Sequence, residues 1–146
     1  MELTIRPATK NDAAKIRRLV YRARINPFGL KWQRSVVAVG SDGQFLGCIQ
    51  LKSHRDGSFE MASLAVVEPY RSRGVARALI EHLLADSPRP LYLTCAAELG
   101  SLYQKFGFRS VGLSDALSPR YRQIRKLFDL FHRLQGREGG LIMRLN

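Results

Sequence analysis

The chain has 146 residues, of which 45% are hydrophobic and 25% charged, and 24 Lys+Arg against 12 Asp+Glu give it a formal charge of +12. That length suits one domain, over 1–146, with a core of its own, and the composition excludes a disordered or collagen-like chain. No run approaches the roughly 20 apolar residues that span a bilayer, the start Met1-Glu2-Leu3-Thr4-Ile5-Arg6-Pro7 lacks the apolar stretch of a signal peptide, and two cysteines make no disulfide scaffold.

These features read as cytoplasmic, with no membrane partner. The charge points to a polyanionic partner, and nucleic acid, a phosphate-rich cofactor and an acidic substrate all fit it.

Leu3–Ala8 reads as a strand, and Thr9-x-x-Asp12 as a capping-box-like helix start. Ile16, Leu19, Val20 and Ala23 then follow the i, i+3, i+4, i+7 pattern of an amphipathic helix that should stop near Asn26-Pro27. Ser35–Val39, Phe45–Leu51 and Phe59–Val67 are strand-like, joined by Ser41-Asp42-Gly43 and Asp56-Gly57, which signals an antiparallel meander.

After Glu68-Pro69 the period changes to 3.6. Val75, Ala76, Leu79, Ile80, Leu83 and Leu84 stripe a helix ending before Ser87. Leu91–Cys95 is a short strand, Leu99–Lys105 a short helix and Phe108–Val111 a strand. Ser118-Pro119 opens a last helix. Its stripe of Ile124, Leu127, Phe128, Phe131 and Leu134 is too apolar to face water, Gly136 sits at its C-terminal cap, and Leu141–Leu145 closes as a strand. The order describes an α/β or α+β layered domain with a mixed, mostly antiparallel sheet flanked by helices.

The segment that carries chemistry is the strand-to-helix turn Arg71-Ser72-Arg73-Gly74-Val75-Ala76-Arg77. The free N–H groups and dipole of a helix's first turn attract anions. Gly74 admits a ligand to the backbone, Ala76 keeps the approach open, and Arg71, Arg73 and Arg77 supply countercharge. This is a phosphate cradle, but neither a Walker loop nor a G-x-G-x-x-G turn.

Those residues resemble the Gcn5-related N-acetyltransferase superfamily. Its [Q/R]-x-x-G-x-[G/A] turn is matched by Arg71 to Ala76, and its L-Y-x-K-x-G-F segment by Leu102-Tyr103-Gln104-Lys105-Phe106-Gly107-Phe108 about 30 residues later. The resemblance implies the acyl-CoA N-acyltransferase fold, from which this chain departs by an extra helical insertion over about 113–140, where relatives usually have a short connection.

It also implies acetyl-CoA as co-substrate and an amine acceptor that attacks it directly in a ternary complex. The pyrophosphate would rest on Arg71–Arg77, and the pantetheine arm on the backbone of Leu64, Ala65 and Val66. Tyr103 matches the tyrosine that protonates the departing thiolate, and Glu60 falls in the register of a general base on the fourth strand. Apolar neighbours would partly desolvate that carboxylate, which suits base work, and water alone is the alternative base. Leu93-Thr94-Cys95 offers no carboxylate, and Ala96-Ala97-Glu98 stands where relatives often carry a CoA-contacting Asn.

Cys48 and Cys95 sit in apolar strand patterns as small core residues; in the sheet that the resemblance implies they would lie on strands flanking the fourth, too distant to pair. His54, His82 and His132 show no metal-ligand spacing, so no metal is expected. Many relatives dimerise, which leaves a homodimer open. A second reading is a non-catalytic basic module for nucleic acid or acyl-CoA, motivated by Arg120, Arg122, Arg125, Lys126 and Arg133 on the last helix. The aromatics there fall on the apolar stripe, which argues against base stacking and so against nucleic acid.

Overall fold

The computed structural model describes residues 2–136 and 140–146. It contains seven strands, β1 (Leu3–Pro7), β2 (Ser35–Gly40), β3 (Phe45–Ser53), β4 (Phe59–Val66), β5 (Leu91–Cys95), β6 (Arg109–Ser110) and β7 (Leu141–Leu145). The helices are α1 (Ala13–Arg22), α2 (Val75–Asp86), α3 (Gly100–Gln104) and α4 (Pro119–Gln135). The strands hydrogen-bond in the order β1-β2-β3-β4-β5-β7-β6, the mixed and mostly antiparallel sheet expected. Two compact units divide the chain: residues up to Lys52 with Met61–Ser87, and Ser53–Glu60 with Pro88–Asn146.

The first unit holds β1, β2, most of β3 and β4, and helices α1 and α2. Ile16, Leu19 and Val20 on α1 bury against Val37, Val39, Cys48 and Ala65, the removal of apolar surface from water that drives folding. Arg6 and the Thr9 N–H both donate to the Asp12 carboxylate, at 2.8 and 2.7 Å. The expected capping box is therefore present, but it opens a 3-10 turn over Lys10–Asp12 before the α-helix.

The helix ends at Arg22, short of Asn26. Arg24 turns left-handed (φ 56°), and the Ile25 N–H folds back onto the Val20 carbonyl, which returns Ile25 to the core. Within β4, Ser63 also has a positive φ of 56° while nearly fully buried, its Oγ without a partner among the described residues. A left-handed residue cannot continue a regular ladder.

In the second unit β5 pairs antiparallel with β7 from Leu91↔Leu145 to Cys95↔Leu141. The start of β4 runs parallel to β5 over Phe59↔Leu91 and Glu60↔Tyr92. Strand β6 is only two residues long, shorter than the Phe108–Val111 expected, because the Phe108 N–H is bound to the Tyr103 carbonyl. Of the 113–140 segment expected as an insertion, 137–139 lie outside the described residues.

Helix α4 departs from its expected packing. Tyr121 is fully buried, with Ile124 and Phe128 beside it against Tyr92, Leu117 and Ile142. Leu127, Phe131 and Leu134 are 63%, 40% and 72% exposed. The buried seam is thus 121, 124 and 128, one turn earlier than the expected stripe. The Phe128 ring lies so close to Gly140 that a Cβ there would approach it to 3.0 Å. Ser118 makes no capping bond from its side chain. The cap comes instead from Asp56 at the tip of the β3–β4 hairpin, whose Oδ2 accepts the Arg120 N–H at 3.0 Å.

Candidate active site

In the first unit, β4 ends at Val66 and a 3-10 turn over Glu68–Tyr70 leads into the Arg71–Arg77 segment. Ser72 and Gly74 are left-handed, φ 63° and 85°, which throws the chain back so that Gly74 becomes the N-cap of α2. Open space surrounds the position of a Cβ at Gly74, so glycine is needed there for its dihedral angle.

Gly74 offers no side chain to cap the helix, whose first backbone bond runs from the Ala78 N–H to the Gly74 carbonyl. The N–H groups of Val75, Ala76 and Arg77 are thereby left to an outside acceptor. Val75 is buried and anchors the turn, while Arg71, Ser72, Arg73 and Arg77 are exposed. The Arg71 Nε donates to the Val66 carbonyl at 3.1 Å, and the Arg73 guanidinium lies 5.6 Å from the Tyr70 ring centroid. Leu64, Ala65 and Val66 follow the irregular residue Ser63. An anion of pyrophosphate type fits these residues: open N–H donors, a positive helix end and three arginines.

The second unit contains Tyr103 and Glu60. Tyr103 sits on α3, its ring edge-on to Phe108 with centroids 6.3 Å apart. Burial, and then the nearby Cys95, push its hydroxyl up to about 12, so the phenol stays protonated and can donate. Glu60 is only 7% exposed.

Three groups converge on Glu60 Oε1: the Tyr121 hydroxyl donates at 2.8 Å, His54 Nε2 lies at 2.8 Å and Arg120 Nη2 at 3.9 Å. Tyr121 stacks on Tyr92 with ring centroids 4.1 Å apart. Burial and the Glu60 charge hold the Tyr121 hydroxyl far above its usual range, so it too is fixed as a donor.

Asp56 accepts the Ser58 hydroxyl and N–H as well as the Arg120 N–H. The Ser58 hydroxyl first, then those N–H groups, hold its carboxyl well below the usual range.

His54, Asp56 and Tyr121 were not singled out as site residues in the sequence. The first two had a signal, since the Asp56-Gly57 turn folds His54 back beside Glu60. Tyr121 sits one turn before the stripe read from Ile124. Among the described residues no group of three or more His, Cys, Asp or Glu side chains could hold a metal ion, and none of the helices is long and apolar enough to cross a membrane. Cys48 and Cys95 are free thiols.

Several solved structures share this fold. The N-acetylglutamate synthase of Neisseria gonorrhoeae, solved with coenzyme A and N-acetyl-glutamate, matches at a TM-score of 0.75 and 18% identity over 99% of this chain. The present chain spans 35% of that protein's length.

Rv2747 of Mycobacterium tuberculosis, in complex with CoA, matches at 0.73 and 18% identity, covering 97% of this chain and 98% of its own. Escherichia coli ElaA matches at 0.67 and 14% over 99% of both chains. At such identities the likeness is one of fold. No curated protein matches the sequence. The family profile described as an acetyltransferase (GNAT) domain matches residues 32–110, a stretch that includes Glu60, the Arg71–Arg77 turn and Tyr103. The chain therefore belongs to the GNAT acetyltransferases, enzymes that move an acetyl group from acetyl-CoA to an acceptor.

Proposed function

We propose that the chain acts as a single N-acetyltransferase domain, with Glu60 as general base, Tyr103 as general acid and Arg71–Arg77 as the pyrophosphate cradle. Acetyl-CoA supplies the activated acetyl thioester. The backbone of Leu64, Ala65 and Val66 aligns the pantetheine arm, and the open N–H groups of α2 hold the pyrophosphate.

The acceptor ammonium gives a proton to Glu60, or to a water that Glu60 orients, and the neutral amine attacks the thioester carbonyl. The carbon–sulfur bond breaks as the new carbon–nitrogen bond forms, the leaving sulfur takes the Tyr103 proton, and the second proton shed by the nitrogen passes through solvent to restore the Tyr103 phenol. Holding amine and thioester together supplies much of the rate effect.

One observation supports the base assignment above the others. Glu60 is buried and its Oε1 is held by the Tyr121 hydroxyl and lies 2.8 Å from His54 Nε2. These contacts fix the carboxylate in place, as a positioned base requires. The two free thiols suit a reducing compartment, the cytoplasm.

Thiol release from acetyl-CoA, measured against a panel of amines, tests the reading. Glu60→Gln should lower kcat about 100-fold or more, by the usual size of general-base catalysis, with acetyl-CoA affinity unchanged. A protein that binds no CoA by calorimetry is not this enzyme.

A further inference from the structure

Glu60 as base does not account for the cation held next to it. The Arg120 side chain is 42% exposed, and its Nη2 stands 3.9 Å from Glu60 Oε1, too far for a hydrogen bond. Its guanidinium lies 5.9 Å from the Tyr121 ring centroid. Its backbone is fixed, because its N–H is bound by Asp56, itself held by the Ser58 hydroxyl at 2.6 Å. The hairpin tip thus sets the start of α4 so that the Arg120 guanidinium lies beside the base.

A cation there repels an acceptor that arrives as a plain ammonium ion. It attracts one that brings its own carboxylate. In an α-amino acid the nitrogen and the nearer carboxylate oxygen are about 3 Å apart, as fixed by bond lengths and angles. That spacing lets the ammonium meet Glu60 while the carboxylate meets Arg120. A cavity of about 220 Å³ near the pair is lined by Ser58, Phe59, Arg89, Pro90, Tyr92 and Ser118, and not by Glu60 or Arg120 themselves.

We infer that the acceptor is an α-amino acid whose carboxylate is received by Arg120, a specificity-determining residue. The inference rests on the assignment of Glu60 as base and adds the chemical class of the acceptor. Amines lacking a neighbouring carboxylate, including peptide N-termini and polyamines, would leave Arg120 unmatched and in repulsion.

The test compares free α-amino acids with their primary amides by thiol release from acetyl-CoA, in the full chain and in Arg120→Gln and Arg120→Lys. At least one amino acid should exceed its own amide by about 10- to 100-fold in kcat/KM, the worth of a charged hydrogen-bonded pair. Arg120→Gln should remove that preference, mostly through KM, without changing acetyl-CoA affinity, and Arg120→Lys should restore part of it.

Amides or simple alkylamines used as well as the acids would overturn the inference, as would an Arg120→Gln loss equal for both. Efficient acetylation of carboxylate-free amines alone would overturn it while leaving the transferase reading intact. No turnover with any amine, together with no CoA binding, would sink both.

Discussion

Helices α2 and α4 begin alike and end up with opposite roles. Neither has a side chain of its own N-cap residue bonded to its first turn. At α4 the hairpin tip supplies the missing acceptor, Asp56, and the N-terminus is closed. At α2 the cap is Gly74, the flanking side chains are exposed arginines, and the N–H groups stay open. A helix start satisfied from within the protein fixes structure. One left unsatisfied and surrounded by positive charge holds an anion.

The comparison breaks most sharply at Gly74. Gly74→Glu introduces a negative charge and a side chain at φ 85°, and should weaken acetyl-CoA binding by more than about 100-fold, the order of a lost charged contact plus repulsion. Calorimetry should show the loss while circular dichroism shows a folded protein. Normal CoA binding by the folded variant would mean that the anion sits elsewhere.

Tyr103→Phe tests the other unit. It should lower kcat about 10- to 100-fold, within the range of proton transfer by a positioned acid, and leave acetyl-CoA affinity nearly intact. The hydroxyl acts only as charge develops on sulfur. An unchanged kcat, where chemistry limits turnover, would remove Tyr103 from the role.

Closing and opening a helix start should also differ in what they cost. Asp56→Ala leaves α4 uncapped and should cost about 1–2 kcal/mol of stability, read by denaturant unfolding. It should lower kcat as well, since Arg120 and Tyr121 are the first residues of α4 to reach Glu60. A change in CoA affinity instead would blur the distinction between the two helices.

The smallest effect belongs to α1. The Arg6 side chain, ahead of the Thr9 N–H, holds the Asp12 carboxyl down at about 2 against an ordinary 3.8. Its folded value is depressed, so its contribution is present above pH 3.8 and is lost as the pH falls through about 2. Asp12→Asn should cost about 1 kcal/mol at neutral pH, the ordinary worth of a hydrogen bond. The gap to the parent protein should close between about pH 4 and pH 2.

What could be read from the sequence was local. The Arg71–Ala76 turn, the stripe of α2 and the Asp-Gly hairpin are written in adjacent residues, and the structure reproduces them. The partners of Glu60 are not. Tyr121 lies 61 positions away and reaches it only because α4 seats through its first turns. The apolar stripe of α4 misled for the same reason: periodicity gives a helix its apolar side but does not say how many of its turns find a surface. Ser63 left no trace at all, since a serine with positive φ is imposed by its surroundings and not by its own preference.

The two thiols differ in a way an experimenter can exploit. Cys48 is buried beneath the meander, where desolvation raises its thiol to about 12, and only the thiolate reacts. Cys95 is only half-buried, its thiol also raised, by desolvation and then by Glu98, and it is close enough to Tyr103 to act on its titration. Under native conditions an alkylating reagent should therefore modify one sulfur before the other, at a position electrostatically coupled to the proposed acid. A small fluorophore placed there would make the natural sequence its own reporter of ligand arrival, with no engineered cysteine needed.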